Sequence, residues 1–421
     1  MIMLLCTVLS TVRRSNNRGP WSRQYLALFC YSPSFGFDAR QWILRLVPLL
    51  LLLVWLPAQA EDYTFTNSIP TDNIPAACAG PVSDVYTCTP LTLAAGDTIT
   101  ITEPTAINVS GDFTTDSSTQ INAAGNPSDL TITVTGITDL GANTILKGNI
   151  IGNNTTTGTI TIGANSQVEG DLTTTTAGVI NIGSDSTIVG KLTTKSGAIN
   201  VGDRSTVTGS ISSSLAGVIT IGDDSSIVGN LNTLAGAINV GDRSTITGSI
   251  LSSGAGAITI GADAKVTGDV ATTYLGSEIG AGAITIKSGS EVNGSVTTNA
   301  GAITVEEDAK VDGNVSTNDG AITVGTNANI GSSVCSGNSG AITIGASANV
   351  GGNVETATAG AITVGTLANV TGRVKVHNAG ALTIGAGATV GDRIGTSCKV
   401  VAPPISLPRI ISRQWRQIFM R

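Results

Sequence analysis

A unit of the form G-A-I-T-I-G-x-x-[SA]-x-V-x-G-x-V recurs from Gly158 onward, and it leaves few folds open to this chain. Its leading glycines stand at 158, 178, 197, 217, 236, 256, 282, 301, 320, 340, 360 and 380, giving ten steps of 19 or 20 residues and one of 26. Within each unit four apolar residues hold the offsets 0, +2, +8 and +12. They are Ile160, Ile162, Val168 and Leu172, then Ile180, Ile182, Ile188 and Leu192, through to Leu382, Ile384, Val390 and Ile394. Even offsets place these side chains on one face of short strands, and β-branched Ile and Val dominate them. Helical i, i+3, i+4 spacing is absent. A unit this short cannot bury its apolar side alone and must stack on its neighbours. The chain is therefore read as all-β: a single-stranded parallel β-helix (β-solenoid) of about twelve 19–20-residue coils, roughly 58 Å long at a strand spacing of about 4.8 Å.

Two further offsets carry small residues. The position after the second Ile is Gly in ten of twelve units, with Lys287 and Glu306 the exceptions, and a corner there is expected to need glycine's permissive backbone. Offset +6 is always Ser or Ala (Ser166, Ser186, Ser205, Ala264 and Ala388 among them), which suits a cramped inward site. Upstream, residues 139–150 fit a degenerate coil through Leu140, Leu146 and Ile150. The expected organisation is a leader over 1–60, a β-rich N-terminal cap over 61–137, the repeats over 138–400, and a basic disordered tail over 401–421 carrying Arg409, Arg413, Trp415 and Arg416.

The leader has the layout of a secretory signal peptide. Arg40 and Arg45 precede the apolar run 46–56, which ends in Pro57 and the small-residue cleavage site Ala58-Gln59-Ala60. That run falls short of the roughly 20 residues a spanning helix needs, so membrane contact is expected only during export. The leader holds six arginines and one acid, so of the 22 basic and 29 acidic residues 16 and 28 remain, net −12. An acidic rod repels nucleic acid and anionic lipid and keeps repetitive copies apart. Export permits disulfides, and Cys78 and Cys88, framing PAACAGPVSDVYTC, are expected to form one. Cys335 and Cys398 stand far apart in the repeat register, and this reading leaves their pairing state open.

Candidate sites are few. Between the two Ile of each first strand stands Thr161, Asn181, Asn200, Thr220, Asn239, Thr259, Thr285, Thr304, Thr323, Thr343, Thr363 or Thr383. The flanking Ile point inward, so these residues should stack outward as a ladder with Ala198, Ala257, Ala302 and Ala341 two residues earlier. Such a face could order water or bind ice or a glycan, although stacked polar residues also occur on any sheet. The 26-residue step adds a loop with Tyr274 and Glu278, the expected partner contact. His377 is the only histidine, which excludes histidine-based triads and multi-histidine metal sites. Asp203, Asp223, Asp224, Asp242, Glu306, Glu307 and Asp308 read as solvated turn carboxylates. Residues 61–400 offer only Tyr63, Phe65, Tyr86, Phe113 and Tyr274 as aromatics, too few for sugar-processing platforms. No catalysis, cofactor or metal is expected.

The repeats, AGAITIGADAKVTGDV and AGALTIGAGATV among them, resemble bactofilin-type polymer-forming β-helix repeats. Together with the N-terminal segment (PAAC...YTC...LTLAAGDTITIT...INVSGDF), residues 61–400 resemble the N-terminal part of the MshQ family of MSHA pilus biogenesis proteins. The resemblance implies a non-catalytic structural protein of a Gram-negative bacterium, exported to the periplasm, the outer surface or beyond. Its partners would be pilus or other cell-surface components, or further copies of itself meeting at the terminal coils. The large C-terminal region of that family does not follow Val401, which would make the chain a truncated or frame-shifted member. Bactofilins proper are cytosolic, so the signal peptide and the Cys78–Cys88 pair speak against a cytoskeletal role. The reading that follows is a surface scaffold, spacer or adhesin stalk. The alternatives are a ligand-binding face on the Thr/Asn ladder and a filament former.

Overall fold

A computed structural model describes residues 60–66, 73–154, 158–272 and 281–391. Each repeat folds into three short strands that turn two corners and then pass to the next coil. Ile160–Ile162, Gln167–Glu169 and Leu172–Thr174 make one such coil. Stacked coils build three parallel sheets, here called sheets 1, 2 and 3 in the order the repeat meets them. Among the described residues they hold 15, 16 and 16 strands. The stack amounts to about fifteen turns, more than the twelve expected, because the segment before the repeats supplies strands to the same three sheets. Leu91–Leu93 and Phe113–Thr115 open sheet 1, and Thr105–Val109 and Leu130–Val134 continue sheet 3. Their coils differ in length at the corners, which hides them from a fixed-offset search while leaving the strands in register.

Register explains the repeat's rigidity of pattern. Ile160 pairs with Ile180, Ile180 with Ile199, and so on to Leu382, so each core residue rests on its own kind one coil away. The four apolar offsets are buried from Ile160 through Val370 and form one continuous core. At the far end Leu382, Ile384 and Val390 are exposed. The twenty-residue coil encloses a prism too narrow for rings, so the described aromatics sit at the other end. Phe65 and Tyr86 meet edge to face at 4.7 Å, and the Tyr86 hydroxyl donates to the Thr66 carbonyl at 2.7 Å.

That end also holds the one antiparallel pairing among the described strands. Strands β1 (Asp62–Phe65), β2 (Cys78–Val82) and β3 (Val85–Cys88) precede the regular coils, and β2 and β3 form a hairpin in which Cys78 faces Cys88. Their sulfurs are bonded. β3 then pairs parallel with Thr105–Val109 and starts the stack. The sole helical element described is the 3-10 turn Pro127–Asp129, and no described helix is long and apolar enough to cross a membrane.

The expectation that glycine after the second Ile supplies an unusual backbone does not hold. Gly183 and its equivalents keep negative φ; the left-handed residue is two positions further on, at Asn165, Asp185, Arg204, Asp224, Arg243 and Asp263. Asn and Asp tolerate that conformation best among residues with a side chain. Glycine is needed at the corner for space: a Cβ on Gly183 would overlap the backbone of Gly163 and Ala164 in the preceding coil. The leading glycines obey the same rule more strictly, since a Cβ on Gly197 would overlap the carbonyl of Gly178.

Candidate functional site

The outward Thr/Asn column is a real ladder. Thr161, Asn181, Asn200, Thr220, Asn239, Thr259, Thr285, Thr304, Thr323, Thr343, Thr363 and Thr383 are consecutive register partners along sheet 1. The column continues upstream through Asp139, Thr114 and Thr92, which lie outside the repeat pattern. The Thr92 and Thr114 hydroxyls are 3.0 Å apart, and Asn200 donates to the Asn181 amide oxygen at 2.8 Å. From Thr323 to Thr383 both the Thr and the Ala two residues before it are exposed, making a single file of hydroxyls beside a file of methyls.

The acidic residues do structural work at the corner between sheets 1 and 2. The Asp203 carboxylate accepts the backbone N–H of Asp223 at 3.0 Å, Asp223 accepts that of Asp242 at 2.9 Å, and Asp242 accepts that of Ala262 at 2.8 Å. One position on, charge alternates along the rod: Asp185, Arg204, Asp224, Arg243, Asp263. Arg204 grips Asp185 with two bonds of 2.7 Å, and Arg243 grips Asp224 in the same way. These guanidinium bonds hold the Asp185 and Asp224 carboxyls below the usual carboxylate range. Glu306, standing where glycine is usual, accepts both the N–H and the hydroxyl of Ser288 at 3.2 Å. Lys287, the other exception, brings its ammonium within 3.9 Å of Asp242.

Two more ladders escaped the sequence reading. On sheet 2, Glu291 bridges Lys265 at 2.7 Å and Lys310 at 2.9 Å, which lowers its pKa, and the column continues as Asn329, Asn349, Asn369 and Thr389, each of the last three donating a side-chain hydrogen bond to the amide oxygen of the asparagine before it, at 2.9, 2.7 and 2.6 Å. At the corner between sheets 2 and 3, Asn230, Ser249, Asp269, Ser295, Asn314, Ser333 and Asn353 each accept the N–H of the residue stacked above at 2.8–3.2 Å. The signal for it was present, an Asx or Ser after most glycines at offset +10. An outward polar residue on a repeat carries no mark of whether it faces water or a neighbouring coil.

Little of this is arranged for chemistry. Among the described residues no three His, Cys, Asp or Glu converge as metal ligands, and His377 is exposed on the last coils, far in sequence from the corner carboxylates. A shallow depression at the start of sheet 3 is lined by Thr87, Asn108, Ser110, Thr133, Thr135 and Asn153, hydroxyls and amides without an acid or base. Ala60 is exposed just before β1. Ala58, Tyr274, Glu278 and Cys398 lie outside the described residues, as do the apolar run before Ala58 and the basic tail. Comparison with protein-family models, with curated proteins and with solved structures returns no match.

Proposed function

We propose that the protein is a non-catalytic rod, an exported surface scaffold, spacer or adhesin stalk linked to MSHA-type type IV pilus biogenesis. The observation that carries this reading is the unbroken like-on-like register from Ile160 to Leu382, in which interior and surface alike are spent on joining one coil to the next. Repeat stacks of this kind derive stability from nearest-neighbour interfaces and extend in one dimension, and fifteen turns at about 4.8 Å give a rod of roughly 70 Å. Export is supported by the leader layout and by the Cys78–Cys88 bond, which an oxidising compartment sustains. The pilus link rests on the resemblance of residues 61–400 alone.

Light scattering and electron microscopy of the mature chain over a concentration series test the rod. A monodisperse particle near that length supports a spacer. Concentration-dependent filaments would replace it with the bactofilin-like reading, in which the exposed Leu382, Ile384 and Val390 meet the end of another copy. Cell fractionation checks the export, where a cytoplasmic protein would remove the pilus link.

The exposed Ala and Thr files between Ala321 and Thr383 favour a second reading, a flat ligand face for ice or a glycan. Replacing Thr259, Thr304 and Thr343 by lysine should abolish such binding and leave the circular dichroism unchanged. Binding that survives the triple variant removes this reading.

A further inference from the structure

One column of the stack changes character at its first coil. Glu61 stands level with Asp97, one position before the paired strands β1 and Thr98–Ile101, and the same line runs on through Thr119, Thr144, Ser166 and Ser186. Along it the N–H of one coil donates to the side chain of the next. Thr144 donates to the Ser166 hydroxyl at 3.1 Å, Ser166 to that of Ser186 at 3.2 Å, and Glu61 to the Asp97 carboxylate at 2.7 Å. After Asp97 every described member of the line is Thr, Ser or Ala. The carboxylate thus stands at the one place in the line where the donor is the nitrogen of Glu61.

Asp97 is also short of a counter-ion. It is 3 % exposed, and its two oxygens accept backbone N–H groups, Oδ1 from Glu61 and Oδ2 from Ala94, each at 2.7 Å. No described Lys, Arg or His forms an ion pair with it, and none occurs in the sequence between Glu61 and Leu146. A buried carboxylate without an opposite charge is costly, whereas a hydroxyl in the same place would serve the N–H without that cost.

We propose that the Asp97 carboxylate is the receptor for the amino terminus made when a leader peptidase cuts the Ala60–Glu61 bond, with the Glu61 α-ammonium as its counter-ion in the mature protein. This rests on the export reading above, in which the leader ends at Ala60. In the step, the oxygen of a water joins the Ala60 carbonyl carbon and the C–N bond breaks. Both water protons pass to the Glu61 nitrogen, leaving a carboxylate on Ala60 and an ammonium on Glu61. The nitrogen is in place beforehand, at the length of a charge-assisted bond, and the Glu61 carbonyl accepts the Thr98 N–H at 2.8 Å. Cleavage therefore turns a neutral donor into a charged one without moving it, and pins β1 to the end of sheet 2 once the leader is gone.

N-terminal sequencing of the exported chain should begin at Glu61. Another terminus on an exported chain overturns the proposal and leaves export standing, whereas a chain retained in the cytoplasm removes both. The pairing is read from the acetylation rate of the α-amino group in chains released from a cleavable tag to start at Glu61 or at Ala60, each with and without Asp97→Ser, the residue type the line carries in later coils. Starting at Glu61, Asp97→Ser should raise the rate about tenfold near pH 7, the effect of one pKa unit on the free-amine fraction; starting at Ala60 it should change little. The exposed Glu61 and Asp62 side chains, and the Tyr63 hydroxyl bonded to Glu61 at 2.6 Å, are the same in both members of each pair, so the difference isolates Asp97. Equal rates would show that Asp97 does not hold the terminus. Circular dichroism checks that the variant folds, and a measurement without substitution stands beside it: in the mature chain the α-amino group should titrate above the about 8 of a free terminus, and a value at or below that overturns the proposal.

Discussion

The first five and the last five repeats share one backbone and solve the same inward corner differently. In the earlier coils offset +6 is serine, and the hydroxyls form a buried column. Ser205 donates its N–H to the Ser225 hydroxyl at 3.2 Å, while that hydroxyl donates to the Gly202 carbonyl at 3.1 Å; Ser225 and Ser244 repeat the pattern at 3.0 and 2.8 Å. In the later coils the position is alanine, and the same N–H turns back within its own corner. Ala328, Ala348 and Ala368 each donate to the carbonyl three residues earlier, at 3.4 Å. The serine column thus ties coil to coil through side chains where the alanine column closes each corner on itself. A buried N–H must find a partner either way, and the comparison shows two partners of unequal quality serving one fold.

The largest effect should come from a feature both halves share. Gly197→Val and Gly320→Val each force a side chain into the preceding coil's backbone, and each should cost on the order of 3 kcal/mol in urea unfolding. A large difference between them would mean the halves differ in more than the column. Next, Ser225→Ala removes the acceptor of a buried N–H and should cost about 1 to 2 kcal/mol, with faster hydrogen exchange at the Ser205 amide. Unchanged exchange there would show that the corner has switched to the alanine form at no cost. Thr138 sharpens the contrast from the other side. Its buried hydroxyl, aligned with Ile160 in sheet 1, lacks a partner, so Thr138→Val should raise stability by about 1 kcal/mol.

The charge columns should matter least. Asp185, Asp224 and Glu291 have folded-state pKa values depressed by their Arg and Lys partners. A depressed carboxyl stabilises the fold above its ordinary value near about 4 and loses that contribution as pH falls through the folded value. These groups are solvent-exposed, so the effect is small and screened by salt. Melting temperatures at pH 7 and pH 3 should differ slightly less in Asp185→Asn/Asp224→Asn than in the parent. An identical difference would leave the alternating column without energetic weight.

Much of this was legible because the fold is nearly one-dimensional. Offsets 0, +2, +8 and +12 name the core residues, and the stacked coils bury them. The Thr/Asn ladder from Thr161 to Thr383 likewise follows from alternation. Three things were not legible. The early coils through Phe113 and Leu130 were hidden because corner lengths vary while strand pairing does not. The Asn230 to Asn353 ladder was hidden because an outward polar residue looks the same in sequence whether it meets water or the next coil. Glycine after the second Ile was assigned to backbone freedom, when the left-handed residue is Asp185 or Arg204 and the glycine makes room for the neighbouring coil.

The amino-acid sequence by itself determined the β-solenoid, its period and its core, since a strict repeat of inward Ile and Val can bury itself only by stacking in register. Only the tertiary structure decided which polar side chains join coil to coil and why ten of the twelve corners carry glycine. Each of those depends on atoms some twenty residues apart along the chain, brought to contact distance by the stack and by nothing local.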